Sequence, residues 1–165
     1  MSTSQRVLLS HRPAAWLPDR GRADVVLAGL PAVVPSPVCL IRLLVTCGAS
    51  VLVGARADGR GFDIPTREAR DGAWEDPLED LLRHTVPSGR GDVRLLGYVR
   101  NEVTGAPEDY RWPTPHAYFV VWHCEVTSQR DARGTWLDAV EAEAELRERH
   151  WWPLAAHATH AHAAS

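Results

Sequence analysis

The stretch Phe62-Asp63-Ile64-Pro65-Thr66-Arg67-Glu68-Ala69-Arg70-Asp71-Gly72-Ala73 decides how this chain is read. Before it, Asp58-Gly59-Arg60-Gly61 is a turn signal, and Phe62 to Pro65 reads as a short strand. After it, Asp76-Pro77 reads as a helix start. Asp76 takes the N-cap, and Pro77 takes the first helical position, where a missing N–H costs nothing. Leu78, Leu81, Leu82 and Val86 then recur at helical spacing and mark one apolar face, and Pro87-Ser88-Gly89 ends the helix.

Working outward, Val38 to Thr46 and Val51 to Ala55 are apolar, β-rich runs joined by Gly48-Ala49-Ser50, which together read as a hairpin. Beyond the helix, Val93 to Arg100 reads as a strand. Asn101 to Pro115 is a loop, and Tyr118 to Val126 is the strongest strand, built of aromatic and β-branched residues. Trp136 leads into an Ala/Glu/Arg helix over Asp138 to Arg149, and Trp151-Trp152-Pro153-Leu154 opens a last helix. Residues 1–37 are Arg/Pro/Ala-rich and are expected as an N-terminal extension packing on the domain or on a partner; residues 38–155 form the domain, and 156–165 a flexible Ala/His tail. Strands on both sides of one central helix predict a mixed α/β sandwich.

The chain has 165 residues, enough for one domain with a continuous core. A net charge of −3 gives no global basic field, so nucleic acid is not expected as a partner. Every basic residue is Arg; without Lys, neither a Lys Schiff base nor a Lys general base is available. Cys39, Cys47 and Cys124 are too few and too oddly spaced for a disulfide framework, which fits a reducing cytoplasm. The apolar piece Val25 to Val34 is interrupted by Pro31 and is far shorter than a membrane span of about 20 residues, so no membrane is expected.

Phe62-Asp63-Ile64-Pro65, Gly72, the helix from Pro77, the strand Val93 to Tyr98, the loop Tyr110-Arg111-Trp112-Pro113-Thr114-Pro115 and the Trp-led segment from Trp136 fall in the order found in one known family. Over roughly residues 38–155 the chain resembles the Nudix hydrolase superfamily. The resemblance implies a Nudix-like α/β/α sandwich with a mixed β-sheet, and an ancestry among metal-dependent diphosphate hydrolases.

The departures from the family's box G-x5-E-x7-R-E-U-x-E-E-x-G-U bear directly on chemistry. Arg67 stands where the first Gly belongs, and Ala73 where the first Glu does. Leu81 and Leu82 fall on Arg-Glu, and Thr85 and Val86 on Glu-Glu. Shifting by one residue to use Gly89 puts Leu82, Arg83, Val86 and Pro87 at those places. Mg²⁺ and Mn²⁺ need clustered oxygen ligands, which Leu, Val and Ala lack. The expectation is therefore a degenerate box with no metal cofactor. An alternative stays open: an active diphosphate hydrolase with Mg²⁺ or Mn²⁺ on relocated ligands drawn from Glu68, Asp71, Glu75 and Glu79. The plainer reading of this region caps the helix with Asp76 and pairs Glu79 with Arg83 and Asp80 with His84 as weak surface pairs.

Arg67 and Arg70 reverse the local charge where the family has Gly-x-x-Glu, and Arg56 lies on the strand leading in. Guanidinium forks bind phosphate and carboxylate in bidentate fashion, so these three are expected to hold an anionic ligand in place of a metal. Tyr110 and Trp112 are expected to border the ligand and stack on a flat ring. The expected protein binds a small anionic or nucleotide-like ligand, as a sensor or in a metal-independent biosynthetic step. A non-catalytic interaction module, with a homodimer through residues 1–37, is a further alternative. His123 and Cys124 are adjacent on a strand and so face opposite ways, and His157, His160 and His162 read as tail residues.

Overall fold

The structure is a computed structural model that describes residues 3–88 and 91–163. Its elements in chain order are β1 (Arg6–His11), β2 (Arg22–Leu27), β3 (Val38–Cys47), β4 (Ser50–Ala55), β5 (Phe62–Asp63), β6 (Thr66–Glu68), α1 (Glu75–Thr85), β7 (Val93–Glu102), β8 (His116–Glu125), β9 (Thr135–Leu137), α2 (Ala139–Leu146) and α3 (Trp152–Ala163). Among the described residues the strands form one mixed sheet in the order β1-β2-β7-β8-β3-β4-β5, with β6 added to β3 and β9 to β4. β3 and β8 run parallel at its centre, and the other pairings are antiparallel. Both central strands are covered on two faces, which is why they read as nearly unbroken apolar runs rather than alternating ones.

One core layer sets Ile41, Leu43 and Val45 of β3 and Val120 and Cys124 of β8 against Leu78, Leu81 and Leu82 of α1. The opposite layer sets Leu44, Val121, Phe119 and Val99 against Leu146 of α2 and Leu154, Ala155 and Ala158 of α3. The molecule is thus an α/β/α sandwich around a mixed sheet, as the sequence led us to expect.

Four local expectations are corrected. Residues 1–37 are not an appendage. Ala23, Val25 and Val26 of β2 are buried and pair with β7, so this segment extends the sheet. Its Pro- and Arg-rich character belongs to the turns and the exposed face of the edge strand. Asp76 does not cap α1: the N-cap is Trp74 without a side-chain bond, and Asp76 sits in the first turn. The Ala/Glu/Arg helix ends at Leu146 rather than Arg149; Asp138 caps it through a reciprocal box with Glu141. The segment from residue 156 continues α3 to Ala163, because Ala155 and Ala158 dock flush on the sheet. Gly89, expected to end α1, lies outside the described residues, as does the side chain of His162.

Candidate functional site

One residue in β3 breaks the apolar run Val-Cys-Leu-Ile-Arg-Leu-Leu-Val-Thr-Cys. Arg42 shares its side of the strand with Leu40 and Leu44, so its guanidinium projects on the α2/α3 side of the sheet. Only 14% of its side chain is exposed. Burial lowers its pKa below the ordinary arginine value; Asp63 opposes that shift, and Arg149 and Arg56 add to it. An arginine remains charged under such pressure, so the site contains a permanent, poorly solvated cation.

A cleft of about 720 Å³ surrounds it, lined by β4, the 56–58 turn and the segment from β5 into β6. Three arginines line this cleft, Arg42, Arg56 and Arg67, with two acids, Asp58 and Asp63. Asp63 is the shared counter-ion. Its Oδ1 accepts from Ile64 N at 2.8 Å and from Trp151 Nε1 at 3.2 Å. Its Oδ2 faces Arg42 Nη1 at 3.5 Å and Arg56 Nη1 at 3.7 Å. Arg42 Nη1 also donates to Thr66 Oγ1 at 3.3 Å. These contacts to Arg42 are long, which leaves guanidinium N–H capacity turned toward the cleft.

Arg56 is clamped by Asp58 through Nε at 3.0 Å and Nη2 at 2.6 Å, and Arg56 holds the Asp58 carboxyl well below the usual carboxylate range. Behind the wall, Arg149 donates to Phe62 O at 2.7 Å and to Arg60 O at 3.2 Å, while its buried Nε has no hydrogen-bond partner among the described residues. His150 stacks on Trp16 with centroids 3.7 Å apart. Burial, then the nearby charges of Arg42 and His11, drives its pKa down to about 4.

The expected site residues divide into three places. Arg56 and Arg67 do share the cleft, although Arg67 is also tied to Asp80 at 3.1 Å. Arg70 does not join them. Asp71 (φ 56°) and Gly72 (φ 75°) make a tight Asp-Gly turn that pairs Arg70 with Ala73 and leaves Arg70 exposed outside the cleft. Tyr110 and Trp112 line a different cleft, of about 450 Å³. Arg42, Asp63 and Arg149 were missed. The one signal for Arg42 was a charge inside an otherwise apolar strand; nothing in the sequence marks Asp63 as the common acceptor.

No family model matches the chain, and no curated protein matches it. Among solved structures it is similar to a mutant of the pyrophosphohydrolase BsRppH of Bacillus subtilis. The identity is 11% and the TM-score 0.45, over 74% of this chain and 68% of that one.

The four acids of the relocated-metal alternative are not gathered in one place. Glu68 and Glu79 border a groove along α1, but Asp71 and Glu75 do not line it. Glu68 is ion-paired with Arg111, and Asp80 between them is held by Arg67, by Arg83 at 2.7 Å and by His84 at 3.2 Å. Among the described residues no three His, Cys, Asp or Glu side chains converge. The inward face of α1 is Leu78, Leu81, Leu82 and Thr85, all buried in the core. These residues do not fit a hard divalent ion.

No described helix is long and apolar enough to cross a membrane.

Proposed function

We propose that the protein binds a small phosphate- or diphosphate-bearing anion in the Arg42–Arg56–Arg67 cleft, with guanidinium groups supplying the positive charge. The observation that carries this reading is Arg42, a nearly buried cation in the middle of a sheet, whose counter-ion Asp63 is shared with a second arginine and lies 3.5 Å away. A fixed cation with unspent N–H donors in a low-dielectric wall favours an oxyanion more strongly than a surface arginine does. Arg56 stands at the mouth with its planar fork already oriented by Asp58, so less side-chain entropy is lost on binding.

Calorimetric titration with inorganic pyrophosphate in the presence of EDTA tests this. Saturable binding is expected, and Arg42→Met and Arg56→Met should each weaken it about tenfold, the usual worth of a charge-assisted contact. Binding that appears only when Mg²⁺ is added, or that survives both substitutions, would remove the reading.

A further inference from the structure

Almost every described glycine of this chain is required by its own backbone or by its neighbours. Six take a positive φ, as Gly72 does in its Asp-Gly turn. Four more sit where an added Cβ would come within 3 Å of another atom; at Gly97 it would lie 2.2 Å from Val26 O. Gly54 has neither reason. Its φ lies outside the left-handed region, and a Cβ there would meet no atom within 4 Å among the described residues. It is nevertheless inside β4. Glycine loses more backbone freedom on folding than any other residue and gives a strand nothing to pack. A strand glycine in ordinary conformation marks close approach by another backbone or by a ligand, and no other described backbone approaches this one.

Gly54 lines the guanidinium cleft. In the β4–β5 ladder it lies directly opposite Asp63, and opposed residues present the same face. On that face the Asp63 carboxylate looks toward Arg42 Nη1 at 3.5 Å and Arg56 Nη1 at 3.7 Å. A side chain on residue 54 would therefore stand beside these charged groups, in the space that a bound molecule would use. The size of the cleft points the same way. Its volume of about 720 Å³ falls in the range that holds whole organic ligands, roughly 300–1,000 Å³, and exceeds what a bare diphosphate fills. Beyond the charged groups its wall is Ala55, Ala57, Ile64 and Pro65.

We infer that Gly54 is a specificity-determining position. Its bare backbone accepts the flat, apolar organic body of a ligand whose anionic group is held by Arg42 and Arg56. The inference rests on the anion reading; it adds the body of the ligand and the residue that admits it. A branched side chain at 54 would fill the place of that body and leave the arginines untouched.

The test titrates inorganic phosphate and 1-naphthyl phosphate, both with EDTA, into the full chain and into Gly54→Ala and Gly54→Val. The parent chain should bind 1-naphthyl phosphate about tenfold tighter than inorganic phosphate, the return on burying roughly 60 Å² of apolar surface. Gly54→Ala should reduce that preference and Gly54→Val should erase it, while both variants still bind inorganic phosphate. Their thermal midpoints should fall at or above the parent's, because a side chain replaces a strand glycine. Arg42→Met should weaken both probes. A preference that survives Gly54→Val, equal affinities in the parent, or 1-naphthyl phosphate binding that Arg42→Met leaves intact would overturn the inference. So would variants that melt well below the parent and lose inorganic phosphate too, since Gly54 would then be there for the fold. Failure of the anion reading has its own signature: neither probe nor pyrophosphate binds the parent chain, and this inference falls with it.

Discussion

Arg42 carries a cost that its neighbours only partly offset, and that cost makes separable predictions. Replacing it with Met keeps the volume and removes the charge. Asp63 still accepts from Ile64 N and Trp151 Nε1 and still faces Arg56, so the carboxylate is not stranded. Removing a buried ion costs little when its partner stays satisfied, and we expect Arg42→Met to change unfolding free energy by less than about 2 kcal/mol in denaturant titration. A stability loss well beyond that would mean that Arg42 is there for the fold rather than for a ligand.

His150 gives a pH signature at the same scale. Its folded pKa, about 4, lies below the unfolded value of about 6.5, so the unfolded chain takes up a proton that the native one refuses. The His150 contribution is therefore complete above about pH 6.5 and is lost as pH falls from there toward 4. Urea midpoints measured across that window should drop with acidification, and His150→Phe, which keeps a flat ring on Trp16, should flatten the drop. Only part of this residue-level picture was legible in the sequence. Arg56 and Arg67 were picked out by charge and position. Asp63 lay inside the decisive stretch, but its role depends on Trp151, 88 positions away in the chain, and no local pattern encodes that contact.

At the scale of elements, α1 leaves no room for a carboxylate on its inner face. The helix packs its apolar face on β3 and β6. Leu82, which falls on the family's Glu in one reading of the box, is 4% exposed. An acid there would be buried among Leu78, Leu81 and Val86. Leu82→Glu should cost about 3 kcal/mol or more in a denaturant midpoint and should not create Mg²⁺ binding by calorimetry.

The opposite helix α2 was legible at its start because its signal is local. Asp138 accepts from Val140 N and Glu141 N, both at 2.9 Å, and Glu141 returns a bond to Asp138 N at 3.0 Å. Asp138→Ala should lower stability by about 1 kcal/mol, read from thermal melts. The Asp76-Pro77 pair offered the same signal and misled, because Trp74 stacks on Trp122 and starts α1 two residues earlier. A tertiary contact there outweighs the cap.

At the scale of the whole molecule, the sheet's layers could be anticipated but not its width. β3, β4, β7 and β8 announce themselves by apolar runs, whereas β1 and β2 are short strands among Pro13, Pro18 and many arginines. What holds them is long-range. Six residue pairs join β2 to β7, and the buried carboxylate of Asp24 accepts from Ser10 Oγ and Arg100 Nη2, both at 2.6 Å. Burial tends to raise the Asp24 pKa, but Ser10 and the two arginines Arg100 and Arg12 outweigh it and keep the acid charged. A removable extension would leave a folded domain when cut off. Deleting residues 1–31 instead strips Ala23, Val25 and Val26 from one core layer or the other and exposes the β7 edge. It also leaves the Arg100 guanidinium without its acid. The truncated chain should therefore lose its cooperative thermal transition. A sharp melt within a few degrees of the full chain's would show that β1 and β2 are an accessory after all. The same deletion removes Trp16 and Leu17 from the wall of the aromatic cleft that Tyr110 and Trp112 line, so that cleft is complete only in a chain whose N-terminal strands are in place.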